Sequence, residues 1–373
     1  MEVPQLDLQL QYKRIREEIE AAVLRVCASQ RFILGEEVER FEEEIARYLD
    51  CKFALGISSG TDALLLALMA LQIGAGDEVI TTAFSFFATA GSIARTGATP
   101  VFVDIEPDTF NIDPAQIARH ITTRTKAIIP VHLYGQPAEM DGILAVAKEH
   151  EIAVIEDAAQ AIGAEYRGKK AGTLGTMGCY SFFPSKNLGG FGDGGLLTTN
   201  DVDLFARLKS MRVHGQVATY VHKYVGGNFR LDALQAAILR VKLKYLEKWT
   251  KERENAAAAY CERFKHLGLF RPDMFGLPVS RSWNRHVFNQ FTVTLENRSA
   301  LRDHLKARNI GVQVYYPLPL HLQECFHNLG YSRGTLPVSE SAAEKVLSLP
   351  LFPELSQEQI SFVVDQIAAF FHA

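Results

Sequence analysis

Paired cysteines, metal-ligand clusters, basic runs and long apolar runs are what this sequence has least of. Its five cysteines, Cys27, Cys51, Cys179, Cys261 and Cys325, are odd in number, widely spaced and without a CxxC pair. That excludes a disulfide framework and fits a reducing cytosol, so a cytoplasmic protein is expected. No Cys/His group has zinc-ligand spacing, and no metal is expected. No apolar run approaches the length of a bilayer span, and Met1-Glu2-Val3-Pro4-Gln5 shows no basic region followed by an apolar one. Neither a membrane span nor a signal peptide is expected. A formal net charge of −4 argues against a cationic nucleic-acid binder. Internal repeats and low-complexity segments are missing too. What remains is globular in composition, with 47% hydrophobic and 22% charged residues. Over 373 residues that provides a large core and room for two domains.

Hydrophobic spacing predicts a helix from Tyr12 to Ser29 and another from about Glu36 to Tyr48, with Val38, Phe41, Ile45 and Leu49 on one face. From Phe53 the pattern changes to strands alternating with helices. Strands are expected at 53–57, 78–81, 100–103, 126–131 and 153–156, with helices at 63–71, 85–96, 114–120 and 139–150 between them. Two more strands, 178–182 and 195–199, and a helix at 202–211 follow. This rhythm predicts an α/β fold with a mostly parallel sheet flanked by helices, and ligands outside the strand carboxyl ends. A long helix is expected over about Leu231–Tyr260. Beyond it a strand (287–295), a helix capped by Ser299, a strand (312–316) and a last amphipathic helix (356–371) predict a smaller α+β unit. The expected domains are 1–248 and 249–373.

The first strand ends in Ser58-Ser59-Gly60-Thr61-Asp62 before a strongly helical run. A helix N-terminus there offers free N–H groups to an anion, while the same serines and Asp62 equally suit simple capping. Asp157 ends another strand, as a cap or loop residue or as an anion that keeps a ring nitrogen protonated. The most unusual stretch is Tyr180-Ser181-Phe182-Phe183-Pro184-Ser185-Lys186-Asn187-Leu188-Gly189-Gly190. Lys186 has no other charge within six residues on either side. It is either a lysine in a Gly-rich surface loop or one whose ammonium loses hydration in an apolar pocket. In the second case its pKa falls, and the neutral amine can add to an aldehyde or ketone.

Five motifs stand in order: Ser59-Gly60-Thr61-Asp62-Ala63, Phe84-Ser85-Phe86-Phe87-Ala88-Thr89, Glu156-Asp157-Ala158-Ala159-Gln160, Ser181-Phe182-Phe183-Pro184-Ser185-Lys186 and Asn228-Phe229-Arg230-Leu231-Asp232. In this order and spacing the chain resembles the sugar-nucleotide aminotransferases of the DegT/StrS type, over nearly its whole length. The resemblance implies a fold type I pyridoxal-phosphate transferase in which Lys186 carries the cofactor as a Schiff base. It implies that Asp157 pairs with the pyridine nitrogen, Gln160 meets the phenolic oxygen and Phe86 stacks on the ring. Gly60, Thr61 and Ser181 would hold the phosphate, with Asn228 reaching it from the other subunit of a homodimer with shared sites. Arg31, His214, Arg230, Tyr316 and His321 are candidate substrate contacts. The resemblance further implies L-glutamate as amino donor and a nucleotide-linked keto sugar as acceptor. The Gln at position 160 and the segment 228–235 are similar to the branch that aminates carbon 3 of UDP-linked 2-acetamido sugars. Amination at carbon 4 of a dTDP- or UDP-4-keto-6-deoxy sugar is the alternative.

Other classes fit less well. A regulatory relative without catalysis would need a basic stripe or a helix-turn-helix. A cysteine desulfurase would need a cysteine in a mobile Gly/Ser-rich loop. An amino-acid aminotransferase usually carries a C-terminal arginine for the α-carboxylate, and only Arg333 follows Arg308 here.

Overall fold

The computed structural model describes residues 1–270 and 275–372. Its first helix, α1 (Leu8–Ser29), is capped by Asp7, whose carboxylate accepts from the Gln9 and Leu10 N–H groups at 2.9 and 3.2 Å. α2 (Glu36–Leu49) buries Val38, Phe41, Ile45 and Leu49, as their helical spacing dictates. Burying each such side chain contributes roughly 1.5–3 kcal/mol. β1 (Phe53–Ile57), α3 (Gly60–Ala70), β2 (Glu78–Thr82), α4 (Ala88–Arg95), β3 (Thr99–Val103), α5 (Pro114–Ile117), β4 (Thr125–Ile129), α6 (Met140–Glu149) and β5 (Ala153–Asp157) follow the expected alternation. After a small pair, β6 (Glu165–Tyr166) and β7 (Lys169–Lys170), come β8 (Met177–Ser181), β9 (Gly195–Thr199) and α7 (Val202–Met211). A short exposed hairpin, β10 (Gln216–Ala218) and β11 (Val221–His222), completes this part.

Seven strands form one sheet in the order β1-β9-β8-β5-β4-β2-β3. From β8 to β3 the neighbours are parallel, whereas β9 runs antiparallel to both β8 and β1. The mostly parallel sheet is therefore mixed, with one reversed strand. The reversal matters for the site. Gly195, the first residue of β9, pairs with both Ile57 and Ser181, the last residues of β1 and β8. Asp157 lies opposite Cys179 on β8. The segments that follow β1, β5 and β8, and the one that precedes β9, thus meet at a single edge. α3 packs behind that edge and is buried almost all round, which is why its sequence shows no polar face.

The C-terminal part holds α8 (Ala233–Leu243), α9 (Leu246–His266), β12 (Phe275–Gly276), β13 (Asn284–Arg285), β14 (Phe291–Leu295), α10 (Arg298–Lys306), α11 (Pro337–Lys345), β15 (Val346–Leu349) and α12 (Gln357–His372). β14 pairs antiparallel with β12 and β15. The first turn of α9 (Leu246, Trp249) belongs to the core under α1, α2 and α8, while Ala256 to Phe264 belong to the C-terminal core. The change of core falls inside α9. Val3, at the opposite end of the chain, is buried in the C-terminal core as well.

Four expectations are corrected. The long helix over 231–260 is two helices, broken at Lys244-Tyr245, where Tyr245 turns to stack on Trp249 at 5.6 Å and to donate to Glu18. The stretch 312–316 is not a strand: only Gln313 bridges to Ser348, and Val314, Tyr315 and Tyr316 turn toward the cluster around Phe84. β15 supplies the strand that β14 needed, so 312–316 is left free to line the site. α10 starts at Arg298 behind Asn297, so Ser299 is not its cap. The helix expected at 85–96 begins only at Ala88, because Ser85 and Phe86 form the turn after β2.

Candidate active site

The strand edge opens into a cleft of about 580 Å³. Gly60, Thr61, Phe86, Asp157, Gln160, Ser181, Lys186 and Tyr316 all line it. Seven of these come from the motifs singled out in the sequence, and the crossing of β1, β5, β8 and β9 brings them together.

Asp157 is buried. Thr89 Oγ1 donates to its Oδ2 at 2.8 Å and the Ala159 N–H to its Oδ1 at 3.2 Å. It caps no helix. Burial pushes its carboxyl up, and Thr89, Ala159, Lys186 and His132 pull the other way. Its neighbour Glu156 points to the opposite face of the strand, as alternation requires. There it accepts from the Gly172, Leu174 and Gly175 N–H groups at 2.7, 2.7 and 2.6 Å and from His132 Nε2 at 2.8 Å. The Ala138 N–H donates to His132 Nδ1 at 3.0 Å, so the proton sits on Nε2. The strand end that carries Asp157 is clamped from behind.

Lys186 is half-buried, and burial pushes its pKa down to about 8 against the pull of Asp157. It stands in a closed loop: the Phe182 N–H donates to the Gly194 carbonyl at 2.8 Å and the Gly190 N–H to the Phe182 carbonyl at 2.7 Å. A Cβ on Gly189 would lie 2.3 Å from the Pro184 carbonyl oxygen, so that turn requires glycine. Phe86 presents a 57% exposed ring to the cleft. Gln160 is engaged at both ends of its amide. Its Oε1 accepts from the Tyr134 N–H at 2.7 Å and its Nε2 donates to the Tyr316 hydroxyl at 3.0 Å, leaving one Nε2 hydrogen.

At the N-terminus of α3, Ser59 Oγ caps the Asp62 N–H at 3.0 Å, and Ser58 Oγ donates to Asp62 at 2.7 Å. The capping reading holds for Ser59, and it leaves the first-turn N–H groups of Gly60 and Thr61 free for an anion. A Cβ on Gly60 would sit 2.8 Å from Ser181 Cβ, so glycine is what lets the two segments close into a cradle.

The remaining candidates lie elsewhere. Asn228 and Arg230 line a second, polar pocket of about 510 Å³ that shares Ser59 and Asp193 with the cleft. Arg230 Nε is buried there without a partner. Arg31 and His214 are exposed and line neither pocket. His321 is corrected: it is 1% exposed, bonded to Glu340 at 3.1 Å, and does not reach the cleft. Arg333 is paired with Glu344 at 3.1 Å at the surface, away from the cleft. Four residues were missed. Thr89 belongs to the motif Phe84–Thr89, which assigns it no role. Asp193, Gln290 and Gln313 line the cleft but carry no sequence signal of their own.

A buried anion, an open aromatic face, an anion cradle and an amine of lowered pKa fit a flat heteroaromatic ring that carries an aldehyde, a protonatable nitrogen and a phosphate. The sequence pattern of the DegT/DnrJ/EryC1/StrS aminotransferase family matches residues 13–368. Among curated relatives, a pleiotropic regulatory protein of Geobacillus stearothermophilus is 52% identical over 372 residues, 100% of this chain and 99% of its own. The UDP-N-acetyl-3-dehydro-alpha-D-glucosamine 3-aminotransferase of Acidithiobacillus ferrooxidans is 45% identical over 370 residues, 99% of this chain and 98% of its own. Among solved structures, S. venezuelae DesV in complex with a ketimine intermediate superposes with a TM-score of 0.95 at 43% identity, covering 99% of this chain and 98% of that one.

Fold and cleft are those of a fold type I pyridoxal-phosphate enzyme. The chain belongs to the DegT/DnrJ/EryC1/StrS aminotransferase family and is a pyridoxal-phosphate-dependent sugar aminotransferase.

Proposed function

We propose that the chain moves an amino group from L-glutamate to carbon 3 of a UDP-linked 3-keto-2-acetamido hexose, in the cytoplasm, as a homodimer with shared sites. The observation that carries the catalytic reading is that buried Asp157 and the amine of Lys186 line one cleft. The name of the Acidithiobacillus relative supports the sugar and the ring position. Arg230, a cation on the lining of the second pocket, supports a contact to the diphosphate there, although Asp62, Asp193 and Asp232 line the same pocket. Five unpaired cysteines support a reducing compartment. Among the described residues no helix is long and apolar enough to cross a membrane.

Bound pyridoxal phosphate supplies an aldehyde that takes up amines and a ring that withdraws electrons. Asp157 holds a proton on the ring nitrogen, and Thr89 and the Ala159 N–H keep the carboxylate aimed. The free N–H groups of Gly60 and Thr61, with Ser181, bind the phosphate. Phe86 would hold one face of the ring, and Gln160 has one amide hydrogen left that would serve the phenolic oxygen. With the cofactor held, the Lys186 amine would take the proton from the substrate carbon and return it. An amine with a pKa near 8 exchanges protons readily at neutral pH. Asn228 of the other subunit completes the phosphate site.

The assay supplies 3-keto and 4-keto sugars linked to UDP and dTDP, with glutamate, and follows 2-oxoglutarate. Preference for the 3-keto UDP sugar is expected. Preference for a 4-keto sugar overturns the ring position alone. The name of the Geobacillus relative favours a second reading, a regulator. Turnover abolished by Lys186→Ala separates the two.

A further inference from the structure

Next to Lys186 stands a buried amide that the proton transfer does not use. Asn187 Nδ2 donates to the Val287 carbonyl at 3.0 Å, and Asn187 Oδ1 accepts from Asn289 Nδ2 at 3.0 Å. Asn289 is buried as well, and its N–H donates to the Tyr134 carbonyl at 2.8 Å. The Tyr134 N–H donates to Gln160, and Gln160 donates to the Tyr316 hydroxyl. Two residues before Tyr134, the His132 N–H donates to the Asp157 carbonyl at 3.0 Å. One unbroken run of bonds therefore joins the lysine loop to both Gln160 and Asp157, with Asn289 at its centre.

The run is tightly fixed. Tyr134 and Phe288 both lie in the left-handed region, at φ 59° and 45°. Between their segments, a Cβ on Gly135 (φ 99°) would come within 2.9 Å of Val287 Cγ2 and 3.0 Å of the Asn289 nitrogen. Backbone held in this region persists where the surroundings over-determine it, and such positions gather at functional sites. The amide pair also costs stability. Asn289 Oδ1 is buried with no partner among the described residues, and an unmet buried acceptor is unfavourable by about 1–3 kcal/mol. An apolar pair of equal volume would fill the same space. A polar clamp retained at a cost, one residue from the reacting amine, serves geometry rather than stability.

We propose that Asn289 is a positioning residue for Lys186: through Asn187 it holds the lysine loop at one fixed separation from Asp157 and Gln160. The proposal rests on Lys186 as the reacting amine. Asn289 touches no reacting atom. Its loss lets the loop drift and admits water to the lysine.

Asn289→Ala is compared with Asn284→Ala. Asn284 Nδ2 ties the same segment to the Pro137 carbonyl at 3.0 Å without touching Asn187. The first readout is acylation of Lys186 by a small anhydride as a function of pH, followed by mass spectrometry on the full chain without cofactor. The second is the kcat and KM of the holoenzyme. Asn289→Ala is expected to move the acylation midpoint upward, because hydration favours the ammonium. It is expected to lower kcat about 10- to 100-fold with KM nearly unchanged. Asn289→Ser, which keeps a donor, recovers part of both. Should Asn289→Ala fail to fold, Asn289→Leu keeps the volume, loses the donor without adding charge and carries the same expectation. A wild-type midpoint and kcat in the Asn289 variants overturn the proposal, as does an Asn284→Ala that reproduces both changes. If instead Lys186→Ala keeps turnover, it is the assignment of Lys186 that fails.

Discussion

The floor of the cleft and its rim are built on opposite terms. On the floor, Asp157, Glu156, His132 and Thr89 all find partners within the chain and are shut from water. At the rim, Asn228 is exposed and Arg230 Nε has no partner among the described residues, and the chain just before them, around β10 and β11, leaves Tyr220 90% and Val225 85% exposed. Large apolar side chains so exposed suit a surface that another subunit covers. The contrast teaches a division of labour. One chain brings Lys186, Asp157 and Gln160 together on one cleft, while Asn228 and Arg230 line a separate pocket beside it.

The comparison is broken most sharply at the floor. Lys186→Ala is expected to lower kcat at least about 100-fold, and borohydride reduction of the holoenzyme should then leave no cofactor mass at position 186. Asp157→Asn, which keeps the shape and loses the charge, is expected to cost about 100-fold in kcat with cofactor still bound; turnover of the purified variant checks it. At the rim the test is sharing. Lys186→Ala and an Asn228 variant, each inactive alone, are mixed and allowed to exchange subunits. Random pairing makes half the dimers hybrid with one intact site each, so about a quarter of wild-type activity should return. No recovery, or an active monomer in light scattering, sinks the shared site. Arg230→Ala is expected to raise the KM for the nucleotide sugar about tenfold and leave kcat nearly unchanged, as loss of one charged contact would.

The smallest effect concerns stability. An ordinary lysine titrates near 10.5, and burial brings Lys186 to about 8. Below pH 8 both folded and unfolded chains carry the charge, and the folded chain bears the full cost of burying it. As pH rises from 8 to 10.5 the folded amine is neutral while the unfolded one stays charged, so the cost is progressively relieved. Without cofactor, Lys186→Met should therefore be more stable than the wild type at pH 7, on the order of 1 kcal/mol, and the gap should close toward pH 10.5. Thermal melts across that range measure it.

The floor was legible in the sequence because its chemistry demands unusual residues in unusual places. A solitary lysine before a glycine turn and an acid at the end of an apolar strand are conspicuous in one dimension. The rim was less so. Arg31, His214 and His321 are candidate substrate contacts that no motif places in a structural context, and burial removes His321 because Glu340 lies against it only in the folded chain. Asp193 reaches the cleft because β9 runs backwards, and strand direction leaves no mark on five buried residues. Asn289 meets Asn187 across more than a hundred positions, and an asparagine in a loop looks like any other. The break before α9 involves neither glycine nor proline, so it too was invisible.

The closed loop between β8 and β9 sets the length of a leash. Both ends of the segment 182–194 are pinned to each other, and Lys186 hangs between them. During turnover this amine must let go of its partner and later take it back. A freely diffusing amine would have to find that carbon by concentration. One confined to a tether of a few residues meets it again at an effective concentration far above any a cell could supply. Recapture is then a property of the chain's own connectivity. Lengthening the loop, with every catalytic group untouched, would lower that local concentration and slow the return of the lysine.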